Sequence, residues 1–296
     1  LIESMTGENG RENFYQKTVG SKASTPIEVI DMGLRGFTRK IGILKDYNAN
    51  FQCGQCHNAA NRYLTYKWLK DDKPVRPEDL QKAGVSPYAT EFFKDPLESW
   101  AWFKAKGWHQ GVNGTTGVHY VNGSDHPHVE IMLQSKHGQA GVTCTDCHFA
   151  RKADGKAEHQ PSLVKLKVEN TCMRSACHGP GSKSNWTDPG QALYTIEAIQ
   201  QEYRIRVQKM EMAAKDAQRI FMKLKAGEAS LPQEVKEKLE TAYEKYLSAR
   251  DWYLTDLSSG FHDPEGFNRT VSVVTWELRK TNAAAQGALK KTPVKQ

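Results

Sequence analysis

Apolar residues recur every three or four positions through the last third of the chain. Ile196, Ile199, Tyr203, Val207, Met210, Ala214, Ala217, Phe221 and Leu224 fall on one face of a long helix over 191–226. Gly227 and Pro232 interrupt it. Val235, Leu239, Tyr243, Tyr246, Tyr253 and Leu257 then resume the pattern as far as Gly260. Asp263-Pro264-Glu265 reads as the start of a third helix, running to about Ala285, ahead of a frayed Lys-rich tail to Gln296. The pattern predicts an antiparallel helical hairpin in region 191–296, with apolar stripes long enough to join two copies of the chain. Upstream the periodicity fades. Region 1–52 is polar and irregular, with one helical stretch expected near Ile27–Ile43. Region 53–190 is rich in Gly, His and Trp, with short segments such as Gly111-Val-Asn-Gly114, and is expected to form little regular structure of its own.

The cysteines change the reading of that middle region. Cys53-Gly-Gln-Cys56-His57 recurs as Cys144-Thr-Asp-Cys147-His148, and a longer variant follows as Cys172-Met-Arg-Ser-Ala-Cys177-His178. In a Cys-x-x-Cys-His motif two thiols add to the vinyl groups of one haem, and the adjacent histidine ligates its iron. The three motifs use all six cysteines of the chain. A zinc site needs four ligands and does not require His directly after the second Cys. A redox dithiol explains a lone Cys-x-x-Cys but not the repeated His. Disulfide frameworks of this density belong to much shorter secreted chains. Three covalently attached haems c are therefore expected. The expected fold class is mainly α: a loop-rich, haem-packed region followed by the long-helix hairpin.

Composition agrees once haem is counted. Hydrophobic residues make up only 38% of the 296, and porphyrins would supply the missing apolar volume. The formal charge is +7. Three haems would bring about −6 in ionised propionates. The basic balance therefore argues for Lys and Arg facing propionates rather than for nucleic-acid binding. No run of 18 apolar residues spans a membrane. The start at Leu1 reads as a processed or trimmed product, and covalent haem attachment predicts export to the periplasm or beyond.

Several ordered segments carry a family resemblance over about Phe51 to Ala283. They are Cys53-Gly-Gln-Cys-His57, His126-Pro-His-Val-Glu130, Lys136-His137-Gly138 ahead of the second motif, His159, the third motif, the two long helices, and Gly260-Phe-His262-Asp-Pro-Glu-Gly266. Together they resemble the C-terminal part of the pentahaem ammonia-forming cytochrome c nitrite reductases, relatives of the octahaem hydroxylamine oxidoreductases. The resemblance implies sixth ligands. His137 would ligate the haem of Cys172 and Cys177. His262 would ligate the haem of Cys144 and Cys147. His159 stands where the family ligates a haem attached upstream, and no upstream motif is present in this chain. The partner of the Cys53 haem is N-terminal in the family, yet residues 1–52 contain no His. That leaves His109, His119, His128, a methionine, a group from another chain, or an open iron.

The departures bear on function. The family's catalytic haem is held by Cys-x-x-Cys-Lys, which is absent from this chain. After the position of His57 the family carries a Glu and a Tyr that bind calcium and a catalytic Tyr. This chain reads Asn58-Ala59-Ala60-Asn61-Arg62-Tyr63, so the resemblance does not carry the calcium site over. His126 matches the family's active-site His, preceded here by Asp125 in place of Gln. The expected function is electron transfer through closely packed haems, exchanged with other multihaem or quinol-linked cytochromes. The alternative is an oxidoreductase acting on nitrite, hydroxylamine or a sulfur oxyanion at the Cys53 haem, with His126, Arg62 and Tyr63 as proton donors and anion-binding groups. A third possibility is a subunit that uses haem only as core.

Overall fold

The computed structural model describes residues 28–31, 40–43, 50–54, 57, 68–71, 73–76, 79, 82, 93–121, 126–149, 154–156 and 164–291. Among the sequence-predicted site residues, Cys56, Arg62, Tyr63 and His159 lie outside them, as does Asp125. The described residues of the stretch Ile27–Ile43 do not form the expected helix. Instead β1 (Glu28–Asp31) and β2 (Lys40–Ile43) pair antiparallel, with Glu28 opposite Ile43 and Asp31 opposite Lys40. Val29, Ile30, Ile41 and Ile43 are β-branched, and such residues lose side-chain freedom in a helix and favour a pleated pair.

The chain then forms α1 (Asn50–Gly54), β3 (Leu69–Lys70), β4 (Lys73–Pro74), α2 (Pro96–Ala105), β5 (Trp108–His109), β6 (Gly111–Val112) and β7 (His119–Tyr120). The strands make a three-stranded sheet in the order β4-β3-β5 and a β6-β7 pair. Short helices α3 (His128–Gln134), α4 (Lys136–Gln139) and α5 (Cys144–His148) follow, with a 3-10 turn at Val164–Lys167. Three long helices complete the fold: α6 (Pro189–Lys225), α7 (Gln233–Leu254) and α8 (Pro264–Lys291).

The long helices begin and end where the chain supplies caps. The Asp188 side chain accepts from Gly190 N and Gln191 completes a capping box, with Pro189 in the first turn of α6. Gly227, at φ +73, ends it. The Asp263 carboxylate accepts from Gly266 N at 3.1 Å and opens α8. The apolar stripes meet as the periodicity predicts. Tyr203, Met210, Ala214, Ala217 and Phe221 of α6 are buried with Leu239, Tyr243, Tyr246, Trp252 and Tyr253 of α7. Phe267, Val271, Val274 and Leu278 of α8 fill the space between them. The third helix packs along both others, so the arrangement is a three-helix layer rather than a bare hairpin. Leu257 departs from its expected place: it lies beyond the end of α7 and is exposed.

The motif-bearing region has more apolar structure than its sequence suggests. Trp68 stacks on Phe103 with ring centroids 3.9 Å apart, and Trp102 meets Phe103 edge-on at 4.7 Å. Phe93, Trp108, Val118 and Val121 join them, and this cluster is continuous with the helical core. Each such side chain, fully buried, contributes about 1.5–3 kcal/mol. A polar joint closes the contact between α2 and α7. Buried Glu244 accepts from Lys104 Nζ at 2.6 and 2.8 Å and from Trp100 Nε1 at 3.3 Å.

Candidate haem-ligand sites

The three Cys–His motifs sit on short or irregular pieces of backbone, and polar contacts stitch them together. The first lies at α1. Buried Asn50 of that helix accepts from Cys144 N at 2.7 Å, tying the first motif to the second. The second motif is α5 itself, capped by Thr143 with Asp146 returning to Thr143 N at 2.8 Å. Asp146 also meets Arg174 Nη2 at 3.4 Å, and Arg174 lies in the four-residue spacer of the third motif. That contact joins the third motif to the second. Sequence reasoning missed both links, since each joins residues far apart in the chain.

The thiols follow the same convergence. Burial pushes the Cys144 thiol up to about 12, and the neighbouring Cys53 adds to the rise. Burial likewise pushes Cys147 up to about 11, with Cys172 the next contributor.

Two histidine pairs face one another. His148, from the second motif, lies 6.2 Å from His262 between ring centroids. His178, from the third motif, lies 6.0 Å from His137, with the rings perpendicular. Two imidazoles sharing one metal, each bonded at about 2.0–2.1 Å, can have ring centroids roughly 6 Å apart. In one ring of each pair the outer nitrogen is engaged, as such a ligand requires. His262 Nδ1 meets Asp256 Oδ1 at 3.1 Å, and His178 Nδ1 meets Ser184 Oγ at 2.9 Å. In both rings this leaves Nε2 as the nitrogen for a metal. Trp186 stacks on His178 at 4.5 Å. The residues present therefore fit two bis-imidazole haem sites.

Local sequence sets these positions. His137 follows the Ser135 cap of α4, and a side chain at Gly138 would bring a Cβ within 2.0 Å of Met132 O. His262 lies in the loop between α7 and α8. Gly260 turns that loop at φ +80, and a Cβ there would stand 2.8 Å from the Tyr203 ring. Asp256 organises the rest. It is buried, and it accepts from Ser258 N at 3.1 Å, Ser258 Oγ at 2.7 Å and Gly260 N at 3.0 Å as well as meeting His262. Burial alone would raise the Asp256 carboxyl. The hydrogen bond and charge of His262 and the bonds from Ser258 outweigh it and hold the group below its ordinary value of 3.8. Sequence reasoning passed over Asp256; the turn-forming run Ser258-Ser259-Gly260 after it was the available signal.

The first motif has a different arrangement. His57 Nδ1 lies 3.0 Å from His128 Nδ1, and the rings of His57, His126 and His128 are all within 5.7 Å of one another between centroids. Backbone fixes this, because Val129 N donates to His57 O at 3.1 Å. His128 also stands 5.6 Å from His262, so the first and second sites adjoin. Burial, then the neighbouring His262, lowers the His128 imidazole to about 4, so it is neutral near pH 7. Burial with His178 and His262 nearby lowers His137 also. Of the residues expected as partners of the first haem, the structure brings His128 to His57. His109 and His119 instead stack on each other at 4.5 Å in β5 and β7.

Comparison with known proteins adds the following. Residues 48–296 match the family described as cytochrome c552. A cytochrome c-552 of Bacteroides thetaiotaomicron is 28% identical over 138 residues, covering 43% of this chain and 22% of that protein. The cytochrome c nitrite reductase subunit NrfA of Nitratidesulfovibrio vulgaris is 23% identical over 223 residues, covering 72% of this chain and 40% of that protein. Among solved structures, the cytochrome c nitrite reductase of Desulfovibrio desulfuricans superposes with a TM-score of 0.59 at 18% identity, over 81% of this chain and 48% of that one. The fold is shared, and the chain spans less than half the length of these relatives.

Proposed function

This chain belongs to the cytochrome c552 family, and from that premise we propose that it carries electrons through three covalently attached haems and performs no substrate chemistry of its own. It is a multihaem c-type cytochrome related to the nitrite reductases; the number of haems and their role are the proposal. The observation that carries it is the two pairs of facing imidazoles at 6.0 and 6.2 Å, since a haem iron closed by two histidines leaves no position for substrate at the second and third sites. Cys53 with Cys56, Cys144 with Cys147, and Cys172 with Cys177 would form the thioether links, and His57, His148 and His178 would ligate from the motif side. His262 and His137 would close the second and third sites. Haem so bound supplies one-electron chemistry. The chain's own part is to hold the imidazoles and to keep the three sites adjacent through Asn50 and Asp146.

Export to the periplasm or beyond and exchange of electrons with other redox proteins belong to the same reading. Among the described residues no helix is long and apolar enough to cross a membrane. Association of two copies through the long helices is supported by exposed Ile205 and Met212 on one face of α6 and exposed Val273 and Trp276 on α8. Met210 is fully buried and Val207 half-buried within the chain, so Trp276→Glu, not a change in the buried stripe, probes association.

A second reading rests on His126. Its buried Nδ1 has no hydrogen-bond partner among the described residues, and its ring stands 5.6 Å from His57. An imidazole so placed is a proton donor in waiting if the Cys53 haem is open. Titration of the oxidised and reduced protein with nitrite, hydroxylamine and cyanide separates the two readings. A carrier shows no perturbation of any haem spectrum. Binding at one haem, with turnover that His126→Ala reduces, would establish the enzyme reading instead. His137→Ala and His262→Ala are each expected to convert one low-spin haem to high-spin.

A further inference from the structure

The contacts behind His178 and His262, one ring of each facing pair, are not alike. His178 has a neutral hydroxyl, Ser184 Oγ, at its Nδ1. His262 has a carboxylate, Asp256 Oδ1 at 3.1 Å, and that side chain is wholly shielded from solvent. The carboxylate is not adjustable by side-chain rotation. Its Oδ2 receives Ser258 Oγ at 2.7 Å and Gly260 N at 3.0 Å, while Oδ1 also receives Ser258 N at 3.1 Å. These three bonds and the Gly260 turn hold Oδ1 against the imidazole. Ser258 Oγ in turn accepts from His262 N at 3.0 Å, so the ligand's backbone and its ring are fixed by one network.

We propose that Asp256 is a positioning residue that draws the Nδ1 proton of His262, gives that imidazole partial imidazolate character, and lowers the reduction potential of the haem attached at Cys144 and Cys147. The inference rests on the reading of His262 as that haem's ligand. A carboxylate behind a ligating histidine fixes the tautomer and raises the ligand's basicity. A more basic ligand stabilises the ferric over the ferrous state, and hydrogen bonding around the ligands is one of the protein's levers on potential. The effect is large where the carboxylate is buried, because low local polarity weakens screening of its charge. The Ser184 hydroxyl exerts no comparable pull on His178. The two bis-histidine sites are thereby given different potentials by residues that touch neither iron.

The test uses the full holoprotein in an optical redox titration, with EPR on the oxidised sample. Asp256→Asn keeps the shape and an acceptor oxygen but removes the charge. The midpoint of one haem is expected to shift upward while the others stay, with every low-spin signal retained. Asp256→Glu should return that midpoint toward the wild-type value. Ser258→Ala removes one of the bonds that hold Oδ1 against the imidazole and should shift the same midpoint upward by less than Asp256→Asn does, which keeps the test available if Asp256→Asn does not fold. Unchanged midpoints in folded Asp256→Asn or in Ser258→Ala would overturn the proposal, as would equal shifts at all haems. Retention of every low-spin signal in His262→Ala is a separate result: it would remove the ligand assignment itself.

Discussion

The helical region and the motif-bearing region solve the same problem with different materials. In α6, α7 and α8 the interior is made from side chains at helical spacing, such as Met210, Leu239, Trp252, Val274 and Leu278. In the motif-bearing region the groups that converge are five described cysteines, all half-buried, and histidines from loops and short helices. The first region specifies its own packing. The second specifies positions of ligands, held by single hydrogen bonds such as Asn50 to Cys144 N and Val129 N to His57 O. Regular periodicity is the mark of a core the chain fills itself, and converging Cys and His are the mark of one shared with a prosthetic group.

The largest expected effect tests the self-sufficiency of the helices. Trp252→Ala removes a fully buried side chain of α7 and should cost about 3–5 kcal/mol in urea unfolding followed by far-UV circular dichroism. A loss under about 1 kcal/mol would mean that the helical core is not what holds this half together. Glu244→Ala attacks the joint between the regions, stripping Lys104 and Trp100 Nε1 of their acceptor. Its expected cost is about 1–3 kcal/mol. Asn50→Ala removes the acceptor of Cys144 N and should cost about 1 kcal/mol of unfolding free energy, with the far-UV helical signal unchanged. A loss of helical signal would show that the two regions fold as one unit. The smallest effect is in acid. Because the Asp256 carboxyl is held below 3.8 in the folded state, its stabilisation is present above that value and lost as pH falls through the lower folded value. Wild type and Asp256→Asn should therefore differ most above pH 3.8 and converge as pH falls through the lower folded value. Parallel acid curves would dissociate Asp256 from the stability of the loop.

The two regions were unequally legible. The stripes from Ile196 to Phe221 and from Leu239 to Tyr253 lie where periodicity places them, because a long amphipathic helix repeats its signal over many turns. Helix ends were readable from Gly227, Pro232 and Asp263, whose chemistry is local. The stretch 27–43 was misread because four-residue strands such as Glu28–Asp31 are too short to show a period, and only their β-branched content marks them. The Trp68–Phe103 stack was hidden because its members come from separate short elements. At the site, the motif histidines are written in the sequence, and the resemblance pointed to His137 and His262. Asp256 and Arg174 were not legible, since their roles depend on which loop returns to which motif.

All three motifs, including the long-spaced Cys172–Cys177 site, are expected to hold one haem each in this chain. Intact mass spectrometry of the purified holoprotein counts them. The expected result is a single dominant species carrying three covalent haem additions. A species with two, its third-motif thiols free to react with a thiol-alkylating reagent, would contradict it.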